Sequence, residues 1–532
     1  MIHTPRATRA MAVAPHAAAA QSALAVLREH GNAIEATVAA AATIATVYPH
    51  MTGIGGDAFW LIHEPGRPVR ALDACGAAAA RATREFYRER GCRSIPTRGA
   101  LAANTVAGTV SGWQLALELS REQWDGRLPL ARLLEDAIHY AEHGIVVTKS
   151  QAAATRAKLA ELAPQPGFAA HYAPGGNAPA EGSLLRQTAL GASLRALARR
   201  GAADFYSGEL ARTIAADLAT LGSPLAAADL ASHRAAWREP LALDHGAGRV
   251  YNMPPPTQGL IALLILGILD RLGLDRVPAD TADYVHLVVE ATKQAFLIRD
   301  RHLTDPRYMK VDAQALLAPD ALGALARNVD RDKALPWTQP GVDADTIWLG
   351  AVDHAGRAVS FIQSVYHEFG SGVVLAQTGI NWQNRGASFS LEPGAVNALE
   401  PGRKPFHTLN PALAAFKDGR VMVYGTMGGD GQPQTQAAVF TRYALYGQAL
   451  QQAVSAPRWL FGRNWGQQSA TLKLESRFGD AVVASLKARG HDIEMFGDFD
   501  EVMGHAGAIV RHPSGVLEGA ADPRSDGAAA GY

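Results

Sequence analysis

Apolar residues recur at three- and four-residue spacing through residues 17–30 and 34–46, two Ala-rich stretches parted by Gly31-Asn32. That spacing predicts two helices, the first closed by Gly31. The same period returns at 128–143 and 282–299, so the middle of the chain, residues 128–335, reads as mostly helical. The longest apolar run, Gly259 to Leu269, stops at Asp270; it is too short to span a bilayer and predicts a buried core helix. The period changes near residue 336. Residues 337–345 are polar and turn-rich, which predicts an exposed loop. Residues 346–353 and 358–366 then read as two strands around the turn His354-Ala-Gly356. A second hairpin joins 412–416 to 421–424 through Asp418-Gly419. Helices are predicted at 434–452 and 481–489, so the last third is strands followed by helices, a sheet covered by helices. No internal repeat or long linker breaks the pattern.

The 532 residues carry 50 Lys+Arg against 50 Asp+Glu, and 50 − 50 = 0 excludes both a basic nucleic-acid footprint and an acidic tail. The length allows three to four domains or one large layered domain. The two cysteines, Cys75 and Cys92, form neither a disulfide framework nor a zinc spacing, and a reducing compartment suits them. Near the N-terminus, Arg6 and Arg9 precede Ala10-Met-Ala-Val-Ala with no acidic residue before Glu29, loosely like a targeting segment. Pro15 and His16 interrupt it and a helix follows at once, so the expectation is no signal peptide and a cytoplasmic protein without membrane or nucleic-acid partners.

Gly53-Ile-Gly55-Gly56 precedes the strand-like Phe59-Trp-Leu-Ile62. A dinucleotide fingerprint needs the opposite order, strand then glycines then helix, and is rejected. HExxH, GxSxG, SxxK with partners and GxxxxGK[ST] are all absent. Asp498-Phe-Asp500-Glu501 lacks the ligand ladder of a calcium loop and reads as a solvated loop. The informative feature is the abrupt loop-to-strand boundary at Asp345/Thr346. A Thr opening a strand is ordinarily β-propensity alone. Here a Gly-rich element, Gly425 to Gly431, leaves a strand in the same third and can present N–H groups as an anion nest, and Phe369-Gly-Ser-Gly372 makes a second tight turn.

Thr346-Ile-Trp-Leu-Gly-Ala-Val-Asp-His-Ala-Gly356, Phe369-Gly-Ser-Gly372, Gly428-Gly429 and Asp522-Pro-Arg-Ser525 with Gly531-Tyr532 resemble the small subunit of the γ-glutamyltranspeptidase family. His50 with Gly53-Ile-Gly-Gly, and Thr105-Val-Ala-Gly-Thr-Val-Ser-Gly112, resemble its large subunit, so the likeness covers nearly the whole chain. The resemblance implies an α+β fold, the four-layer αββα sandwich of N-terminal nucleophile hydrolases. It implies self-cleavage between Asp345 and Thr346 into a large subunit, 1–345, and a small subunit, 346–532, that stay together as one intertwined catalytic unit. Thr346 would be the nucleophile, its freed α-amine the base, Gly428 and Gly429 the oxyanion donors, and Ser364 a hydroxyl that orients the nucleophile. An α-amine with pKa about 7.7–8.0 suits that task and removes the need for a His or Asp partner. The resemblance implies no metal and no organic cofactor, and leaves open a homodimer of the processed unit.

The head-group site departs from the family. Cys75 stands where its transpeptidases carry an Arg, and Ser388 where they carry an Asp. Arg385 replaces a Gln, Tyr366 an Asn, and His407-Thr408 a Ser-Ser pair, while the segment from Ser390 to His407 is shorter than the lid-bearing one. Losing two charge-assisted contacts, each about 1.5–3 kcal/mol, disfavours glutathione. A guanidinium at 385 suits a small carboxylate-bearing amide instead. Together with the motif Tyr366-His-Glu-Phe-Gly-Ser-Gly-Val373, this is similar to the family's oxamate amidohydrolase branch, with Arg385, Tyr366, His407, Thr408 and Cys75 lining the substrate. Two alternatives stay open: a γ-glutamyl hydrolase or transferase, and an unprocessed binding protein without activity.

Overall fold

A computed structural model of the protein describes residues 3–338, 345–463 and 469–532. The two N-terminal helices form as Ala17–Arg28 and Ala33–Val47. Asn32 caps the second: its side-chain oxygen accepts from the Ile34 and Glu35 amides, and Glu35 Oε2 accepts from the Asn32 amide at 2.9 Å. The left-handed residue closing the first helix is His30 (φ 65°), not Gly31. Gly31 is needed for close approach, since a Cβ there would lie 2.6 Å from Val26 Cγ1. All of Ala33–Val47 is buried, as its unbroken Ala, Val and Ile content demands.

This helix belongs to the outer layer over a seven-stranded antiparallel sheet. Its strands run in the order Ala528–Gly531, Met11–Ala14, Asp345–Val352, Ala358–Tyr366, Asp57–His63, Arg70–Ala74, Ala236–Arg238. A second sheet faces it, in the order Arg6–Ala7, Leu517–Ala521, Ala506–Arg511, Val421–Thr426, Ala412–Phe416, Gly248–Asn252, Leu241–His245. The helices Gly259–Leu272, Ala282–His302 and Gly431–Ala444 cover the far side of that sheet. The result is the αββα sandwich.

The middle of the chain is mostly helical, as read, and also supplies the strands Ala236–Arg238, Leu241–His245 and Gly248–Asn252. Near the N-terminus Arg6–Ala7 and Met11–Ala14 are strands, one in each sheet. One further expectation is corrected. The helix expected over 434–452 is two, Gly431–Ala444 and Leu450–Ser455, broken where Gly447 turns left-handed (φ 64°). Strands 358–366 and 412–416 form as read; the strand read at 346–353 forms as Asp345–Val352, and the core helix read at 259–269 runs on to Leu272. The loop expected over 337–345 falls largely on 339–344, outside the described residues; Asp345 itself opens a strand.

Between the sheets, Trp348 packs with Met11, Val13, Ile362, Val423 and Ile509, and its indole N–H donates to Ser360 Oγ at 2.9 Å. The ring lies on bare backbone. A Cβ on Gly425 would sit 2.2 Å from Trp348 Cδ1, and one on Gly507 2.5 Å from Cζ3. Gly425→Ala is therefore expected to cost about 1–3 kcal/mol by overpacking, read as a lower urea midpoint. Gly394→Ala, where a Cβ meets nothing within 4 Å, should leave the midpoint unchanged.

Candidate active site

The strand Asp345–Val352 pairs with Ala358–Tyr366 in the middle of its sheet, with one irregularity. Asp345 opposes Tyr366 and Ile347 opposes Gln363, so Ser364 and Val365 together face the single residue Thr346. Tyr366 closes this bulge at φ 87°, a conformation that costs a non-glycine residue energy. The distortion turns the Thr346 hydroxyl back onto the preceding peptide: Oγ1 lies 2.5 Å from the Asp345 carbonyl oxygen. Ser364 Oγ donates to the same oxygen and itself accepts from the Tyr366 amide at 2.7 Å. Gln432 Nε2 reaches Thr346 Oγ1 at 3.5 Å. Thr346 and Ser364 are fully buried. Asp345, Thr346 and Ser364 therefore converge on the carbonyl of the Asp345–Thr346 peptide.

A buried cation is stacked on the residue that closes the bulge. Arg385, 1% exposed, lies over the Tyr366 ring at 3.9 Å and donates to Thr408 Oγ1 at 3.3 Å. Its Nε and Nη2 have no partner, and among the described residues no carboxylate comes within ion-pair distance; Glu392 is exposed and does not pair with it. Burial pulls Arg385 down to about 10, so it stays charged at neutral pH. His407 Nε2 lies 3.3 Å from Asp57 Oδ2, and burial holds the imidazole neutral. Cys75 is buried, unpaired and pushed up as a thiol by burial. Arg385, Tyr366 and Thr408 thus meet directly, with His407 and Cys75 in the same buried region through Asp57. Ser388 is turned aside and donates to the Phe406 carbonyl.

Asp57 is the residue the sequence reading passed over. It follows Gly53–Gly56 directly and is a lone carboxylate opening an apolar strand, which was the available signal. Its Oδ1 accepts from the Gly76 and Gly108 amides, both at 3.0 Å. Burial raises it to about 7, against the pull of those amides and of Arg385. Gln258 was missed too: its amide donates to the Thr408 and Gly429 carbonyls at 2.9 and 2.8 Å, clamping the two loops together. Gly428 is left-handed (φ 104°) and precedes the helix that carries Gln432, which brings the Gly428-Gly429 turn to the Thr346 side chain. Gln432 signals itself only by its place in the turn following those glycines. A cavity of about 720 Å³ opens beside the junction, with Asp345, Lys149, Lys158, Glu368, Asp500 and Glu501 in its wall. The 498–501 segment read as a solvated loop therefore forms part of that wall, where burial raises Glu501 to about 7.

The αββα fold and the buried threonine junction at the head of a central strand define an N-terminal nucleophile hydrolase. The Gamma-glutamyltranspeptidase family model matches residues 19–532, and the chain belongs to that family. It is 60% identical over 526 residues to the oxamate amidohydrolase proenzyme of Klebsiella pneumoniae, covering 99% of both chains. It is 41% identical to the glutathione hydrolase-like YwrD proenzyme of Bacillus subtilis, over 98% of both. The crystal structure of cephalosporin acylase from Bacillus halodurans superposes with a TM-score of 0.91 at 34% identity, covering 100% of this chain and 97% of that one. The protein is an amidohydrolase of this family. Among the described residues no helix is long and apolar enough to cross a membrane.

Ser364→Ala removes a donor from the Asp345 carbonyl. Conversion of the 56.2 kDa precursor to two bands is expected to slow about 10²–10³-fold, followed by gel electrophoresis over time. Thr346→Ala should remain a single band.

Proposed function

We propose that the protein cuts itself before Thr346 and then hydrolyses oxamate to oxalate and ammonia through a Thr346 ester. The observation that carries this reading is the buried, charged and uncompensated guanidinium of Arg385. An enclosed cation without a carboxylate partner among the described residues is costly, and the unpartnered Nε and Nη2 lie side by side on the guanidinium as a bidentate carboxylate contact requires. Arg385 stacks on Tyr366, the residue paired with Asp345 next to the nucleophile, and this favours a substrate whose carboxylate is close to its amide. The 60% identity to an oxamate amidohydrolase proenzyme supports the same reading.

In the processing step, Thr346 Oγ attacks the Asp345 carbonyl carbon while Ser364 stabilises the carbonyl oxygen. The Asp345–Thr346 C–N bond breaks, the amine takes up the proton, and water hydrolyses the resulting ester. This leaves a large subunit of residues 1–345 and a small subunit of 346–532 interleaved in one fold. The freed α-amine then takes the Oγ proton as Oγ adds to the oxamate amide carbon. Charge collects on the amide oxygen, which the Gly428 and Gly429 amides bind. The C–N bond breaks, the α-ammonium returns its proton to the departing nitrogen, and ammonia leaves. Water, deprotonated by the same amine, hydrolyses the oxalyl ester. Arg385 and Thr408 hold the spectator carboxylate, while Tyr366, His407 and Cys75 keep the site narrow and dry.

Arg385→Ala should lower kcat/KM for oxamate at least about a hundredfold, measured as ammonia release, while leaving chain cleavage intact. Ammonia release at the native rate, or strong turnover of a γ-glutamyl anilide by the native protein, would overturn the assignment. Asp57 ionises near pH 7, and its anion then competes with the substrate carboxylate for Arg385. KM for oxamate is therefore expected to rise between pH 6 and 8, and Asp57→Asn should flatten that rise. The linkage runs the same way: a carboxyl raised in the fold favours the native state at low pH, and that contribution is lost as pH climbs from about 4 to about 7.

A further inference from the structure

On the opposite side of the second sheet, in the helical layer, three potential ligands converge: His286, Glu290 and His491. His286 and Glu290 stand one turn apart on Ala282–His302, and His491 follows the helix Asp480–Ala488. All three are buried, and their ligating atoms lie within 4.8 Å of one another. His286 Nε2 is 2.9 Å from the Asp330 carbonyl oxygen, which can only accept, so Nε2 carries the proton and Nδ1 presents its lone pair. That lone pair faces His491 Nε2 at 2.8 Å. A ligand imidazole whose other nitrogen is fixed by a backbone carbonyl is the arrangement metal sites use to set tautomer and ring orientation. Glu290 accepts from Lys293 Nζ at 2.7 Å and from the Leu335 amide at 3.0 Å, and each oxygen keeps a further lone pair.

We propose that His286, Glu290 and His491 bind one divalent transition-metal ion of the zinc type. Two imidazoles, a carboxylate and a water complete a tetrahedral set with ligand bonds of about 2.0–2.2 Å. Ligand atoms then stand about 3.3 Å apart, so the two rings separate slightly from 2.8 Å and the carboxylate closes in. His491 moves its Nε2 proton to Nδ1 to free the ligating lone pair, with no net proton release. Lys293 keeps the Leu335 carbonyl, 2.7 Å away, as its partner when Glu290 turns to the ion. The positive charges of Lys293 and Arg489 nearby disfavour ions held by charge alone, such as magnesium and calcium, and leave the site to ions that gain from imidazole nitrogen. The ion would tie residues that precede the Asp345–Thr346 junction to one that follows it. Asp330 and Leu335, on the stretch leading to that junction, brace the ligands. Nothing in the chemistry at Thr346 requires this site.

The test is titration of the chelator-stripped, full-length protein with zinc chloride by calorimetry and with cobalt chloride by visible absorption. The native protein is expected to bind one ion per 532-residue chain, to show the intense bands of four-coordinate cobalt, and to melt at higher temperature with zinc but not with magnesium. His491→Gln, which keeps a donor for His286, and Glu290→Gln should each weaken binding at least about a hundredfold. Changing the stacked surface pair through His143→Ala should leave it unaltered. No saturable binding by the native protein, or native affinity in both His491→Gln and Glu290→Gln, would overturn the proposal.

Discussion

Everything at the candidate site depends on one slip of register. If Thr346 paired squarely with the neighbouring strand, its hydroxyl would point to one face of the sheet and its backbone would be an ordinary rung. Two residues opposing one turns the hydroxyl onto the Asp345 carbonyl and brings Ser364 to the same oxygen. A bulge at a sheet edge could relax. This one lies between the third and fourth of seven strands, under a fully buried helix and over the Trp348 contact, so the strain at Tyr366 is held in place.

The second organising feature is a charge without an answer. Burying a guanidinium costs stability unless it is paired. Here the fold offers the face of Tyr366, one hydroxyl from Thr408 and the nearby but half-protonated Asp57. These partial partners keep Arg385 charged while leaving two of its nitrogens, Nε and Nη2, without a hydrogen-bond partner. A fully ionised carboxylate in the same place would stabilise the fold and fill the site. Raising Asp57 towards neutrality by burial, with His407 kept neutral beside it, avoids that outcome.

Much of this was legible from residue order. The strands flanking Thr346, the apolar core helix and the glycine turns all announce themselves by period and by turn chemistry. The failures are equally specific. The strands at 236–252 were not picked out of a mostly helical region because strands of three to five residues are too short to show a period. The apolar residues of 6–14, only loosely like a targeting segment, pair as strands with partners far along the chain, at 345–352 and 517–531, which local order does not announce. Asp57 and Gln258 were missed because each acts through partners distant in sequence.

Local order therefore determined most of the helices, the hairpins flanking Thr346 and the family likeness, since periodicity, capping and turn preference act over a few neighbours. Only the tertiary structure decided that Thr346 faces a bulge, that no carboxylate among the described residues pairs with Arg385, that burial raises Asp57 to about 7, and that His286, Glu290 and His491 meet. Each of these depends on what burial removes from water and on which distant strands come together, and neither is carried by any short stretch of chain.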